Sequence, residues 1–257
     1  MNVRKSQKYI FLFFLVLLHL IFFVACFLAS RETTDKITAP LSTVFILILT
    51  APIVYFFSKW LGRNRLYILL VLSVFGLTIE SIALATGFPY GNFVYNNQSG
   101  YQIFYSVPIT TPFAWLIILL GCFVLANGFF SSSQWKRNLL SIVLMVWVDL
   151  LLDPVAVSLK WWFWPTGGSY FGVPLVNFLG WIISSFFGIT IFWYLVRKVK
   201  FEKASPVEIS ASLYFLLIFL LSIAFWKSLY LPLLLGIMFI LFNYRTWRRL
   251  INNFLYV

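Results

Sequence analysis

The chain has 257 residues, of which 62% are hydrophobic and only 10% charged. A soluble domain of this length cannot bury that much apolar side chain, so the composition excludes a soluble enzyme and indicates a single integral membrane domain over residues 1–257. The net charge of +12 does not point to nucleic acid either, because the basic residues stand at the ends of apolar runs, where topology and contact with membrane lipids account for them.

Arg4, Lys5 and Lys8 precede the first apolar run, Tyr9–Ala29. That run is longer than the ~7–15-residue core of a signal peptide and ends in Ser30-Arg31-Glu32, so it is read as a first helix. Further helices are predicted over Leu41–Trp60, Leu66–Thr86, Pro112–Phe129, Leu139–Leu159, Leu175–Val196, Ile209–Phe225 and Leu229–Tyr244. The last two are short, and the break between them, Trp226-Lys227-Ser228, is weak. The predicted fold class is all-α, a polytopic bundle of about eight spans. With the N-terminus inside, Arg4, Lys5, Lys8, Lys59, Arg63, Arg65, Lys136, Arg137, Arg197, Lys198, Lys200, Lys203, Arg245, Arg248 and Arg249 all fall on the inner side. Only Arg31, Lys36, Lys160 and Lys227 fall outside, which predicts an N-in, C-in, multi-pass protein of the cell membrane.

The fifth predicted helix carries two carboxylates, Asp149 and Asp153, followed at once by Pro154. Charge at membrane depth costs at least ~2.5–3.5 kcal/mol per residue, so it is rarely there without a task. The i, i+4 spacing puts both acids on one face, about 5–6 Å apart at Cβ. Two carboxylates that close do not both ionise easily in a low dielectric, which sets a proton donor beside a proton acceptor. Pro154 lacks an N–H, so the Leu150 carbonyl is freed as one more acceptor. Glu80, near the end of the third helix, is predicted on the same outer side. Glu32, Asp35, Glu202 and Glu208 fall in loops and read as solvated charge. Cys26 and Cys122 lie inside apolar runs as small core hydrophobes, and the lone histidine, His19, makes a His/Cys metal site untenable.

Two long outer loops share a pattern. Val107-Pro108 and Val173-Pro174 are each followed, eight residues after the Val, by a tryptophan: Trp115 and Trp181. Each leads into a helix and each follows an acid-bearing one, which suggests an internal repeat with the two acidic helices side by side. In the first loop, Phe93–Tyr95 and Tyr101–Ile103 flank Asn96–Gly100 and predict a short hairpin. The second loop holds Trp161, Trp162, Phe163, Trp164 and Tyr170, either an interfacial aromatic belt or a wall against a flat apolar ligand.

Four pieces occur in order: Gly87–Tyr95 (GFPYGNFVY), Val107-Pro108 with Pro112–Trp115 (PFAW), Asp149–Pro154 (DLLLDP) and Gly172–Trp181 (GVPLVNFLGW). This set resembles the CruF-type membrane carotenoid 1,2-hydratase family, which includes γ-carotene 1′-hydratase and bisanhydrobacterioruberin hydratase. The likeness runs from about Glu80 to Trp181, inside a family-like core over 66–196. The basic loops of this chain disfavour a haloarchaeal substrate, since haloarchaeal surfaces are usually acidic.

The resemblance implies addition of water to the terminal C1=C2 bond of an acyclic carotenoid end, giving a tertiary 1-hydroxy group, with no redox cofactor and no metal. The chemistry needs an acid to protonate C2, a held water to attack C1, and a wall that stabilises the cation. Asp153 is expected as the acid, with Asp149 or Glu80 holding the water and Asn177 bonding the water or the product. Asn177, at a helix start, also reads as an N-cap. Trp147, Trp162 and Trp181 are candidates to face the cation, and Tyr95 completes the expected binding set. The alternative for the acids is that they pair with each other, or with Asn177, only to fix helix packing. Expected partners are a carotenoid drawn from the lipid phase, water, membrane lipids and other carotenoid-biosynthesis enzymes. Two other classes fit an Asp-x-x-x-Asp in a membrane helix: a UbiA-like prenyltransferase binding Mg-diphosphate, and a proton-coupled transporter. The first usually has two such motifs where this chain has one, and the second lacks a clear polar solute path.

Overall fold

A computed structural model describes residues 16, 17, 19–25, 27, 35–198 and 207–255. Most of the predicted first helix, with Arg4, Lys5, Lys8 and Cys26, lies outside them, as do Arg31, Glu32, Lys200, Glu202 and Lys203. The described positions between 16 and 27 are helical, and Leu17, Ile21 and Ala25 are buried in the core. The helices that follow are α1 (Asp35–Leu61), α2 (Tyr67–Thr86), α3 (Thr111–Phe129), α4 (Gln134–Ser158), α5 (Leu175–Val196), α6 (Ala211–Trp226), α7 (Tyr230–Phe242) and α8 (Tyr244–Leu255). Six helical segments among the described residues are long and apolar enough to cross a membrane.

Local chemistry sets the boundaries. α2 stops where Gly87 turns left-handed, φ 76°, and its amide caps the Ala83 carbonyl at 2.8 Å. α5 starts directly after the extended Pro174. α4 begins five residues before the predicted Leu139, because apolarity marks where lipid begins, whereas helical bonding begins earlier, with the Arg137 amide on the Ser133 carbonyl. α7 has 13 residues, about 20 Å at 1.5 Å per residue, against a hydrocarbon core of about 30 Å. The break before α7 is firm: Ser228 takes φ 55°. α8 was not foreseen. Its sequence alternates Arg245, Arg248 and Arg249 with Trp247, Leu250 and Ile251, a helical period without enough apolar length to register as a span.

α4 is the hub and packs on α3, α5, α6 and α7. α2 and α4 each pack on both α3 and α5. The four helices therefore form a ring, with the two acid-bearing helices opposite one another and not side by side as the repeat suggested. α3 is buried along almost its whole length, while α1 and α2 turn most of their surface outward. Close approach uses small residues. A Cβ at Gly121 in α3 would stand 2.6 Å from the Leu213 Cβ of α6.

The predicted hairpin in the first loop does not form. Its two halves find other partners: β1 (Val94–Tyr95) pairs antiparallel with β4 (Trp162–Phe163) of the second loop, and β2 (Gln102–Ile103) pairs with β3 (Val107–Pro108). Aromatic and β-branched runs mark strands, but not which strand is opposite. Side chains reinforce the joint between the loops: Asn96 Nδ2 donates to the Lys160 carbonyl at 2.8 Å, and Trp164 Nε1 donates to the Tyr90 carbonyl at 3.0 Å. The two loops form one cover over the helix ring.

Gly121→Ala forces α3 from α6 and is expected to cost about 1–3 kcal/mol, read as a lower unfolding temperature in detergent. Gly128→Ala, whose nearest neighbour is Thr246 Oγ1 at 3.3 Å, is expected to lose far less.

Candidate active site

α4 presents Asp149 and Asp153 from successive turns of one face, 0% and 2% exposed. They lie within hydrogen-bonding reach of each other. Asn177, in the first turn of α5, reaches across and donates from Nδ2 to Asp149 Oδ2 at 3.0 Å and to Asp153 Oδ2. Asn177 is therefore a bridge and not a cap; the N-cap position belongs to Pro174. The remaining Asp153 oxygen, Oδ1, accepts from the indole N–H of Trp162 at 3.1 Å. The Leu150 carbonyl, freed by Pro154, accepts the Tyr170 hydroxyl at 2.8 Å.

Glu80 on α2 is 6% exposed and receives a donor at each oxygen. Tyr95 donates its hydroxyl to Oε2 at 3.1 Å, and Trp115 donates its indole N–H to Oε1 at 3.3 Å. Burial, and after it the Glu80 carboxylate, push the Tyr95 phenol well above its ordinary value, so Tyr95 keeps the proton it donates.

The repeat is visible in these contacts. Trp115 and Trp181, the two tryptophans of the Val-Pro-x6-Trp pattern, stack on each other with centroids 5.1 Å apart and planes 12° apart. Tyr95 and Trp162 are direct cross-strand partners, and each donates to the acid of its own unit. Trp115 was read as a repeat marker and as part of the Pro112–Trp115 piece but not as a site residue, yet it both binds Glu80 and stacks on Trp181; its equivalence to Trp181 in the repeat was the signal.

Between these groups lies a cavity with about 1040 Å³ of empty space, its mouth included. Glu80, Asp153, Asn177, Tyr95, Trp162 and Trp181 all line it, within walls that are otherwise mostly apolar and aromatic. Asp149 stands one turn away and connects through Asn177. Trp147 is not brought to the cavity. It sits two residues before Asp149, about 200° around the helix. Its indole N–H donates to the Leu235 carbonyl of α7 at 3.0 Å, and its ring packs on Phe239 and Phe242. Among the described residues no group of three or more His, Cys, Asp or Glu side chains is placed to hold a metal ion.

Such a site can move a proton between buried oxygens, present a carboxyl group to an apolar guest, and surround positive charge with aromatic faces. The chain is 28% identical over 148 residues to the bisanhydrobacterioruberin hydratase of Haloarcula japonica, a match covering 56% of this chain and 50% of that protein. It thus spans about half the length of that curated relative. No solved structure matches the chain. The sequence model of the carotenoid biosynthesis proteins matches residues 41–243. The chain belongs to the carotenoid biosynthesis protein family.

Proposed function

We propose that this membrane protein is a carotenoid hydratase that adds water across the terminal C1=C2 bond of an acyclic end group. The observation that carries the reading is the carboxyl pair: Asp149 and Asp153 are buried and tied together by Asn177, and Asp153 lines an apolar cavity that Glu80 also lines. The substrate end enters from the lipid phase. Asp153, the member of the pair that lines the cavity, gives its proton to C2 as the π bond breaks. The positive charge develops at C1, a tertiary centre, facing Trp162 and Trp181. Water attacks C1, its oxygen forms the new bond, and its extra proton passes to a carboxylate, with Glu80 positioned for that role. The net change is one water added, with no oxidation or reduction. The proton taken up by Glu80 returns through water to the aspartate pair, whose members Asn177 links, and Asp153 is again the acid for the next turnover.

The chain is best read as multi-pass in the cell membrane with both ends inside, the covered end of the ring facing out. An eight-pass count includes the segment before α1 and the short α7.

Expression in bacteria that accumulate lycopene, followed by chromatography and mass spectrometry of the pigments, tests the reaction. A gain of one or two water masses is expected. Asp153→Asn, at equal protein level, should reduce that gain on the order of a hundredfold or more. Unchanged lycopene and unchanged γ-carotene from well-folded protein would refute the reading and favour the prenyltransferase or transporter class. The tryptophans give a second test. Trp181→Leu removes a cavity wall and is expected to slow hydration roughly tenfold or more. Trp147→Phe, remote from the cavity, is expected to lower stability while leaving the rate per folded molecule unchanged.

A further inference from the structure

Tyr90 has no part in the chemistry as written so far, yet it is one of the most fixed side chains in the cover. Its carbonyl is held by Trp164 Nε1. Its ring lies on the bare Cα of Gly180, where a Cβ would come 2.6 Å from Tyr90 Cδ1, and it packs on Phe93 and Trp181 with centroids 6.2 and 6.3 Å away. It lines the same cavity as Glu80, Asp153 and Asn177 and is only 3% exposed. Despite this, its hydroxyl has no hydrogen-bond partner among the described residues. Buried hydroxyls nearly always have one, because leaving one unmade costs stability. A tyrosine used only for packing would serve as well as phenylalanine. A ring so firmly held on the cavity wall, with a hydroxyl that makes no hydrogen bond of normal geometry and has Ser184 beside it, fits a group that binds something arriving there.

The surroundings say what arrives. Burial, followed by the carboxyl groups of Glu80, Asp149 and Asp153, pushes the Tyr90 phenol well above its ordinary value, so it stays a neutral donor and acceptor amid three acids. An apolar polyene end offers no hydrogen bond. The water that must attack C1 offers two O–H groups and a lone pair.

Building on the hydratase reading, we propose that Tyr90 is the positioning residue for the nucleophilic water. Its phenol oxygen accepts one water O–H while Glu80 accepts the other, which leaves the water lone pair aimed at C1. As the C1–O bond forms, the proton leaves through Glu80. Without the Tyr90 hydroxyl, protonation of C2 by Asp153 still occurs, but the cation more often returns a proton from C2 to the carboxylate and reforms the alkene.

The test is Tyr90→Phe in membranes containing lycopene, assayed in D2O. A futile protonation that ends with loss of the original C2 hydrogen leaves deuterium at C2 of the recovered carotenoid, and each productive one gives the alcohol. The expected result is hydration reduced on the order of a hundredfold, with the ratio of deuterium exchange to hydration raised by a similar factor. The unfolding temperature is expected to stay the same or rise, since the unmatched hydroxyl is gone. Unchanged hydration overturns the proposal. So does an equal fall in exchange and hydration, or a fall that follows a loss of stability, since either outcome makes Tyr90 a structural residue. Wild-type protein that neither hydrates nor exchanges lycopene or γ-carotene overturns the hydratase reading itself, and is distinguished from the other results by the wild-type arm alone.

Discussion

Three carboxyl groups inside a membrane bundle constrain everything around them. Burying such a group without partners costs several kcal/mol even after the protein relaxes. Here Glu80 and Asp153 each accept from two side chains, and Asp149 is tied to Asp153 by the Asn177 amide. None of these donors is on an acid-bearing helix. Tyr95 and Trp162 come from the loops, Trp115 from α3 and Asn177 from α5. The loops are therefore part of the site's electrostatics. The β1–β4 pairing has a physical purpose in this light, since it sets Tyr95 and Trp162 opposite one another, each over its own acid.

The same constraint explains why the two halves are alike and where they differ. Each half runs acid-bearing helix, loop, Val-Pro, then a helix carrying a tryptophan, and the two tryptophans meet in a stack where the halves join. The first half holds one acid with a donor on each oxygen. The second holds two acids sharing one amide. A carboxylate surrounded by donors is suited to accept, and a carboxyl pair is suited to pass a proton on. The proposed hydration, which gives a proton at one carbon and takes one from the water at the next, would use that inequality, which an unbroken repeat would not supply.

Much of this was legible in the sequence because membrane depth makes charge conspicuous. Glu80, Asp149 and Asp153 stand out in apolar runs, and i, i+4 spacing fixed the shared face of the two aspartates. Helices such as Leu175–Val196 follow directly from apolar length and a preceding proline. What failed was partner choice. The hairpin was expected between neighbours in sequence, but the strands pair across the repeat, a relation that no local pattern encodes. Asn177 had the position of a cap and was also named as a partner for the acids, and the approach of α4 decides for the bridge. Trp147 was a candidate to face the cation, but two residues before Asp149 on the helix it points to the other side. Tyr90 was passed over because a tyrosine in an aromatic loop carries no sign of whether its hydroxyl will find a partner.

Pro154 links these observations mechanically. In an environment without water every backbone carbonyl needs a donor, and a proline inside a helix removes one. The Leu150 carbonyl so released lies between the two aspartates in sequence, and Tyr170 of the second loop takes it. That loop is thus pinned to α4 at the level of the acids, and β4 of the same loop carries Trp162 onto Asp153. The run Asp149–Pro154 encodes more than a pair of carboxyl groups. By withholding one amide it also creates the attachment point for the cover that closes over them, so substitution of Pro154 would act on the seating of the loop as well as on the helix itself.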